Sequence, residues 1–157
     1  MQNKTLVQEI LAHAKEAHDY VVRMRRDFHK HPETGFAEIR TSGVIAEGLK
    51  QMGLQVQTDI AKTGVVATLQ VDGASSTVAF RADMDALPIT EENDLEFKSQ
   101  NEGVSHACGH DANMAMLLGA AKLMVQLKDK LKRQIKFIFP PCEEQHPGGA
   151  TLMVEQG

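Results

Sequence analysis

The chain has 157 residues, the size of one ordinary domain, and 42% of them are hydrophobic, so it can bury a core without disulfides. Its formal net charge of −4 at pH 7 excludes the broad basic field that binding to nucleic acids or anionic lipids would require. The sequence shows no apolar run of about 18 residues and no secretory signal pattern. We therefore expect a cytoplasmic protein with small-molecule partners and without nucleic-acid or membrane partners.

Two helices are predicted in the first third of the chain. Apolar residues recur at steps of three and four from Leu6 onwards, and this pattern ends in the HKHPETG segment, at Pro32 and Gly35. The same period over 38–52 predicts a second helix, for which Gly53 provides a C-terminal stop.

Three strands, a long loop and a third helix are predicted next. The strands are indicated by apolar residues bounded by turn signals, of which DGASS lies between the last two; they cover 54–58, 63–71 and 76–82. This block of strands is predicted to be a meander or a hairpin. Residues 90–111 are too charged for a buried strand and are predicted to form a functional loop. Asp111 is the predicted N-cap of a helix over 112–127.

The last predicted elements are a short apolar strand over 134–140 and a helix in GGATLMVEQG. The whole order predicts an α/β domain in which a mixed β-sheet is flanked by helices. In such sheets, ligands bind at the carboxyl ends of the strands. Three polar clusters lie at positions of this kind: Arg81, Asp83 and Asp85 after one strand, Cys108, His110 and Asp111 before a helix, and Glu143 and Glu144 after another strand.

The HACGHD segment offers metal ligands. Cys108 and His110 supply a thiolate and an imidazole on either side of Gly109, whose free backbone lets both side chains turn towards one point. With the carboxylates of Glu143 and Glu144 they form a mixed sulfur, nitrogen and oxygen set that suits zinc, manganese or another divalent transition metal. The alternative is a buried cysteine beside a surface histidine at the start of a helix.

The adjacent glutamates suggest a division of labour. One of Glu143 and Glu144 can hold the metal while the other takes a proton from an activated water, although a solvated acidic pair is the alternative. Asp83 and Asp85 either point into the same cleft, divide between cleft and core, or cap backbone amides of a loop.

The remaining histidines carry weaker signals. His29 and His31 are interpreted as helix-end residues that complement the helix dipole, rather than as ligands. His146, in a flexible QHPGG segment, is not expected to be a ligand, and His106 is left without a role.

Five motifs in order resemble the N-terminal part of a known enzyme family. They are RRDFHKHPETGFAE (25–38), TGVVATL (63–69), RADMDALPI (81–89), HACGHD (106–111) and FIFPPCEE followed by PGGA (137–150). The family is that of the metal-dependent amidohydrolases, which include hippurate hydrolases, N-acetyl-diaminopimelate deacetylases and auxin-conjugate hydrolases. These enzymes are relatives of the aminoacylase and carboxypeptidase metallopeptidases.

The resemblance implies a site with two divalent transition metal ions, zinc, manganese, cobalt or nickel, in each full-length subunit. Cys108, His110 and Glu144 would be metal ligands, Glu143 the general base, and Asp85 a residue that orients a ligand or stabilises its charge. The implied reaction is hydrolysis of the amide bond of an N-acyl amino acid by metal-activated water. A full-length homodimer or tetramer is also implied.

The resemblance also implies that residues 1–157 are one part of a longer, zinc-peptidase-like catalytic domain. Family members are more than twice as long, with further histidine ligands, an inserted dimerisation domain and the rest of the catalytic domain. They usually have glutamine and alanine where this chain has Pro140 and Cys142. The alternative hypothesis is a truncated, catalytically inactive fragment that at most binds one divalent metal or self-associates through an unpaired strand edge.

Overall fold

The fold contains every helix and strand that the sequence predicts, with bounds within two residues of the predicted ones. The structure is a computed structural model that describes residues 5–157. In chain order the elements are α1 (Leu6–Lys30), α2 (Ile39–Gln51), β1 (Gln55–Ile60), β2 (Gly64–Leu69), β3 (Thr77–Arg81), α3 (His110–Gln126), β4 (Gln134–Phe139) and α4 (Gly149–Gln156), with a 3-10 turn at Lys128–Lys130.

The four strands form one mixed sheet in the order β1-β2-β4-β3. β1 and β2 make the predicted hairpin, whereas β4 pairs antiparallel with β2 and parallel with β3. The predicted alternative, a meander of three consecutive strands, is therefore wrong, because β4 inserts between β2 and β3. The central position suits β4, since Ile135, Phe137 and Phe139 on one of its faces are all buried.

The core lies between this face of the sheet and the helices. Val65, Ala67 and Leu69 of β2 join the apolar face of β4, and α2 and α3 pack against them. α1 packs mainly on α3, where Phe28 is completely buried. α4 lies beside the opposite face of the sheet, so the prediction of a mixed sheet flanked by helices is confirmed.

The parallel pairing of β3 with β4 determines where the polar clusters meet. Their carboxyl ends lie at the same edge, with Arg81 opposite Ile138. The pairing continues beyond the strands, because the amide of Met84 donates a hydrogen bond to the carbonyl of Pro140 (3.1 Å). The segments that carry Asp85 and Glu143 therefore run side by side, as the rule for α/β sheets predicts.

Within residues 5–157, no helix has both the length and the apolar character needed to cross a bilayer.

Candidate metal centre

Cys108, His110 and Glu144 converge at the edge of the sheet. One ligand atom from each lies within 4.8 Å of the other two, and residues 5–157 contain no second group of this kind. Cys108 is exposed, Glu144 is partly buried and His110 is buried. The cluster therefore has one side open to solvent and one side held by the protein.

The turn before α3 directs the thiol and the imidazole towards this point. Gly109 adopts φ 98°, in the left-handed region, and it is the residue that precedes the helix. The predicted N-cap at Asp111 is wrong, because α3 begins at His110 and places Asp111 in its first turn with a buried carboxylate. The glycine's positive φ accounts for the difference, since it lets the helix start two residues earlier than predicted.

His110 is oriented by a hydrogen bond to the backbone of Asp85. Its Nδ1 donates a hydrogen bond to the carbonyl oxygen of Asp85 at 2.8 Å, which makes Nε2 the nitrogen that can bind a metal ion in place of its proton. Nε2 lies 3.9 Å from Oε2 of Glu143 and 3.9 Å from Oε1 of Glu144. These separations exceed hydrogen-bond length, and they leave room for a cation with bonds of about 2.0–2.3 Å to nitrogen, oxygen and sulfur.

The carboxylates around the cluster favour positive charge. The pKa of His110 is raised to about 9, chiefly by the Asp85 carboxylate, whose Oδ1 lies 3.6 Å from Nδ1. The pKa of the Cys108 thiol is also raised, with the Glu144 carboxylate beside it as the largest cause. The same negative charge attracts a divalent cation, which would displace protons from both groups on binding.

Asp85 organises the two glutamates through their backbone. Its Oδ1 accepts a hydrogen bond from the amide of Glu143 (2.9 Å) and its Oδ2 accepts one from the amide of Glu144 (3.0 Å). Burial alone would raise its pKa, but hydrogen bonds from His110 and from these amides outweigh burial and lower it. Asp83 instead pairs with Arg81, so the two aspartates divide between a surface ion pair and the buried site.

The donor set fits a divalent transition metal. Oε1 of Glu144 is buried and has no hydrogen-bond partner among the residues that the structure describes, which is costly for a carboxylate oxygen unless a cation neutralises it. Thiolate, imidazole and carboxylate are all zinc ligands, and a zinc ion with three protein ligands has a fourth position for water. The side chain of Glu143 is 44% exposed, lies 3.9 Å from Nε2 of His110 and does not belong to the ligand cluster.

The structure contains a buried polar network that the sequence analysis missed. Nδ1 of His29 lies 2.6 Å from Oδ2 of Asp111, and Nε2 lies 2.9 Å from Oε1 of Glu91. Arg25 also pairs with Oδ2 of Asp111 at 3.1 Å. His29 is indeed in the last turn of α1, but its main role is to join α1 to the first turn of α3 and to the preceding loop. The sequence analysis could not predict the contact between His29 and Asp111, because the two residues are 82 positions apart in the chain.

The other two histidines near the site differ in exposure. His106 is buried, neither of its ring nitrogens has a partner within the described part of the chain, and burial lowers its pKa to about 4. It is therefore neutral at pH 7. His146 is exposed and lies outside the ligand cluster.

Replacing His29 with alanine should destabilise the fold by roughly 3–5 kcal/mol, because two buried carboxylates would lose their shared partner. His31→Ala is the matched control, since His31 follows the same helix, is half-buried, and has a side chain that pairs with the carbonyl and carboxylate of Asp27. Its expected cost is at most about 1 kcal/mol. Urea unfolding followed by circular dichroism gives both values, and equal costs would show that the buried bridge does not stabilise the fold.

Comparisons with known proteins point to one enzyme family. Residues 79–157, half of the chain, match the model of peptidase family M20/M25/M40. The chain is 46% identical to the N-acyl-L-amino acid amidohydrolase of Geobacillus stearothermophilus, over 96% of this chain and 40% of that protein. It is 44% identical to thermostable carboxypeptidase 2 of Saccharolobus solfataricus, over 97% of this chain and 39% of that protein.

A solved structure supports the fold. The Bacillus subtilis YXEP protein, a dinuclear metal-binding peptidase from the M20 family, superimposes with a TM-score of 0.84 at 39% identity, over 90% of this chain and 40% of that one. The chain therefore spans about 40% of the length of these relatives.

Proposed function

Because the chain belongs to peptidase family M20/M25/M40, we propose that residues 1–157 form the metal-binding part of a catalytic domain that hydrolyses the amide bond of N-acyl amino acids. The observation that carries this proposal is the convergence of Cys108, His110 and Glu144, with Glu143 beside them. The names of two relatives, the N-acyl-L-amino acid amidohydrolase of Geobacillus stearothermophilus and the N-acetyl-L-cysteine deacetylase of Bacillus subtilis, support the substrate class.

Cys108, His110 and Glu144 would hold a divalent transition metal ion, zinc, manganese, cobalt or nickel. When bound, the ion supplies Lewis-acid polarisation of the amide carbonyl and lowers the pKa of water towards about 7. The dinuclear character of the Bacillus subtilis structure supports a second ion in each subunit. We propose that the remaining ligands of this second ion come from sequence outside residues 1–157. The interface of the expected homodimer or tetramer would also lie outside these residues.

Glu143 would act as the general base. Its carboxylate is accessible to water and lies 3.9 Å from the Nε2 atom of the ligand His110, so it borders the open side of the cluster. It would take a proton from water as the water oxygen bonds to the amide carbon. When the carbon–nitrogen bond breaks, Glu143 would return that proton to the leaving amine, so the products are an amino acid and a carboxylic acid.

Asp85 would position both glutamates and the histidine. Its carboxylate holds the two glutamate amides while its carbonyl oxygen holds Nδ1 of His110. One residue therefore fixes the relative placement of the base, a carboxylate ligand and an imidazole ligand, which is how a hydrogen-bonded partner supports a metal site without binding the ion.

The proposed function is tested by removing the metal with a chelator from a form of the protein that is extended to the length of the relatives. N-acetyl and N-benzoyl amino acids serve as substrates, and the released amino acid is measured. We expect a chelator to abolish release, and zinc, manganese or cobalt to restore it. Magnesium is the matched control and should not restore activity, because a thiolate ligand is unsuited to it. Activity that survives complete chelation would refute the proposal.

A second candidate function is metal binding without turnover by the 157-residue chain itself. It is favoured by the three-ligand cluster, which is sufficient for one ion. Elemental analysis of the purified chain should then give one zinc per chain together with no release of amino acid from the same substrates. Turnover by the 157-residue chain would eliminate this candidate.

A further inference from the structure

Three consecutive backbone amides of the segment that carries the glutamates donate to buried carboxylates. The amides of Glu143 and Glu144 bind Asp85, and the amide of Cys142 donates to Oε1 of Glu38 at 2.8 Å. Asp85 already has a role in the proposed site. Glu38 has none so far, although it binds the amide of Cys142, the residue immediately before the proposed base Glu143.

Glu38 is enclosed by the protein. It is 0% exposed, and its second oxygen, Oε2, accepts a hydrogen bond from the hydroxyl of Thr63 at 2.7 Å. Burial raises the pKa of Glu38, while the hydrogen bonds from Thr63 and from the Cys142 amide oppose this effect. Both oxygens therefore have a specific donor, and a buried carboxylate needs such donors to be tolerated.

The residue that Glu38 holds has an uncommon backbone conformation. Cys142 has φ 50°, in the left-handed region, which costs a non-glycine residue on the order of 1 kcal/mol or more. Gly35 packs closely on it, since a Cβ built at Gly35 would lie 2.6 Å from Sγ of Cys142. The hydrogen bond that its amide donates to Glu38 and the contact with Gly35 together keep this strained residue in place. The direction in which the chain continues to Glu143 depends on that conformation.

We propose that Glu38 is a positioning residue: through the amide of Cys142 it fixes the backbone from which Glu143 and Glu144 reach the metal centre. The assigned roles of these two glutamates rest on the proposed function. The placement of their backbone does not, because it follows from the hydrogen bonds alone.

Glu33 provides a matched control for a purely structural role. It lies in the same segment before α2, and its carboxylate also accepts two backbone hydrogen bonds, from the amides of Arg40 (3.0 Å) and Thr41 (2.8 Å). Both of these amides belong to α2, so Glu33 stabilises the start of a helix and has no hydrogen bond to the segment 142–144. Glu33→Ala should therefore lower the stability of the fold without changing the position of the segment 142–144.

Amide hydrogen exchange of the metal-free 157-residue chain, measured by NMR, tests the positioning. In Glu38→Ala, we expect the amides of Glu143 and Glu144 to exchange at least about tenfold faster than in the wild type, after correction for any change in global stability. Glu33→Ala should leave both rates within about twofold. Glu38→Gln keeps an acceptor oxygen for Cys142 and should restore most of the protection. Unchanged exchange at both glutamates in folded Glu38→Ala would overturn the proposal.

A second variant decides the matter if Glu38→Ala does not fold. Thr63→Val removes the donor to Oε2 of Glu38 without changing the volume of the side chain much, and Thr63→Ser keeps that donor. Faster exchange at Glu143 and Glu144 in the valine variant but not in the serine variant supports the proposal. Equal exchange in these two variants overturns it.

Cobalt titration separates this proposal from the proposed function. Wild-type chain should bind Co²⁺ with a thiolate absorption band from Cys108, and Glu38→Ala should bind it about 10–100-fold more weakly, as expected when a hydrogen bond that supports a metal site from outside the ligand set is lost. Glu33→Ala should match the wild type. If the wild type binds no Co²⁺, the metal assignment fails while the exchange data still decide the role of Glu38. If Glu38→Ala binds Co²⁺ with wild-type affinity, positioning of the ligand is refuted and the metal assignment stands.

Discussion

Glutamine in place of Glu143 is expected to lower the turnover of N-acyl amino acids by about 10²–10⁴-fold, the contribution of a positioned general base. Glutamine keeps the volume of the side chain and a carbonyl oxygen, but it cannot accept a proton from water. The backbone should be unaffected, because the amide of residue 143 still donates to Asp85. Steady-state kinetics of the extended form with N-acetyl amino acids gives the change in kcat.

The neighbouring Glu144→Gln variant is the matched control for this experiment. It removes a negative charge at the adjacent position, but from the residue that belongs to the ligand cluster. We expect Glu144→Gln to lose both bound metal and turnover, and Glu143→Gln to lose turnover alone. A Glu143→Gln enzyme with wild-type kcat would mean that another group is the base. A Glu143→Gln enzyme that also loses its metal would mean that the two roles are reversed or shared.

Local patterns in the sequence were sufficient for the elements and for the composition of the cluster. The helical and alternating periods of the apolar residues predicted the helices α1–α4 and the strands β1–β4, with bounds within two residues of the observed ones. Cys108 and His110 are separated by one residue, so a single turn brings them together. Glu143 and Glu144 could be added as a pair because they follow a buried strand, whose carboxyl end was expected to lie at the same edge as the other polar clusters. The choice of Glu144 as the ligand came from the family resemblance.

Interactions between distant segments could not be predicted in this way. Strand order depends on which apolar strand fills the centre of the sheet, and the period of β4 does not reveal its neighbours. The hydrogen bond from Cys142 to Glu38 joins residues 104 positions apart, and the one between His29 and Asp111 joins residues 82 positions apart. His29 and Asp111 also have ordinary local interpretations, as a helix-end residue and as an N-cap, and these concealed the contact between them.

Alanine in place of His110 is expected to weaken zinc binding by the 157-residue chain by about 10²-fold or more. Structural zinc sites with four ligands bind with about 10–16 kcal/mol, so one ligand contributes roughly 3 kcal/mol, which corresponds to about 10²-fold in Kd. His110 is also the ligand whose orientation is fixed by a backbone hydrogen bond, so its lone pair is already directed towards the cluster. Competition titration with a chromophoric chelator at constant pH measures the affinity.

His146→Ala is the control that shows whether the loss of zinc affinity in His110→Ala is specific, or whether removing any histidine near the glutamates has the same effect. His146 lies two residues after Glu144 in the chain, but it is exposed and does not belong to the ligand cluster. Its replacement should leave the zinc Kd within about twofold of the wild type, as expected for an exposed residue without a tertiary role. Equal weakening in both variants would mean that the ion also depends on His146, so that Cys108, His110 and Glu144 are not the whole site. Wild-type affinity in His110→Ala would show that Cys108 and Glu144 bind zinc without an imidazole, and the open-sided site with three protein ligands would then have to be abandoned.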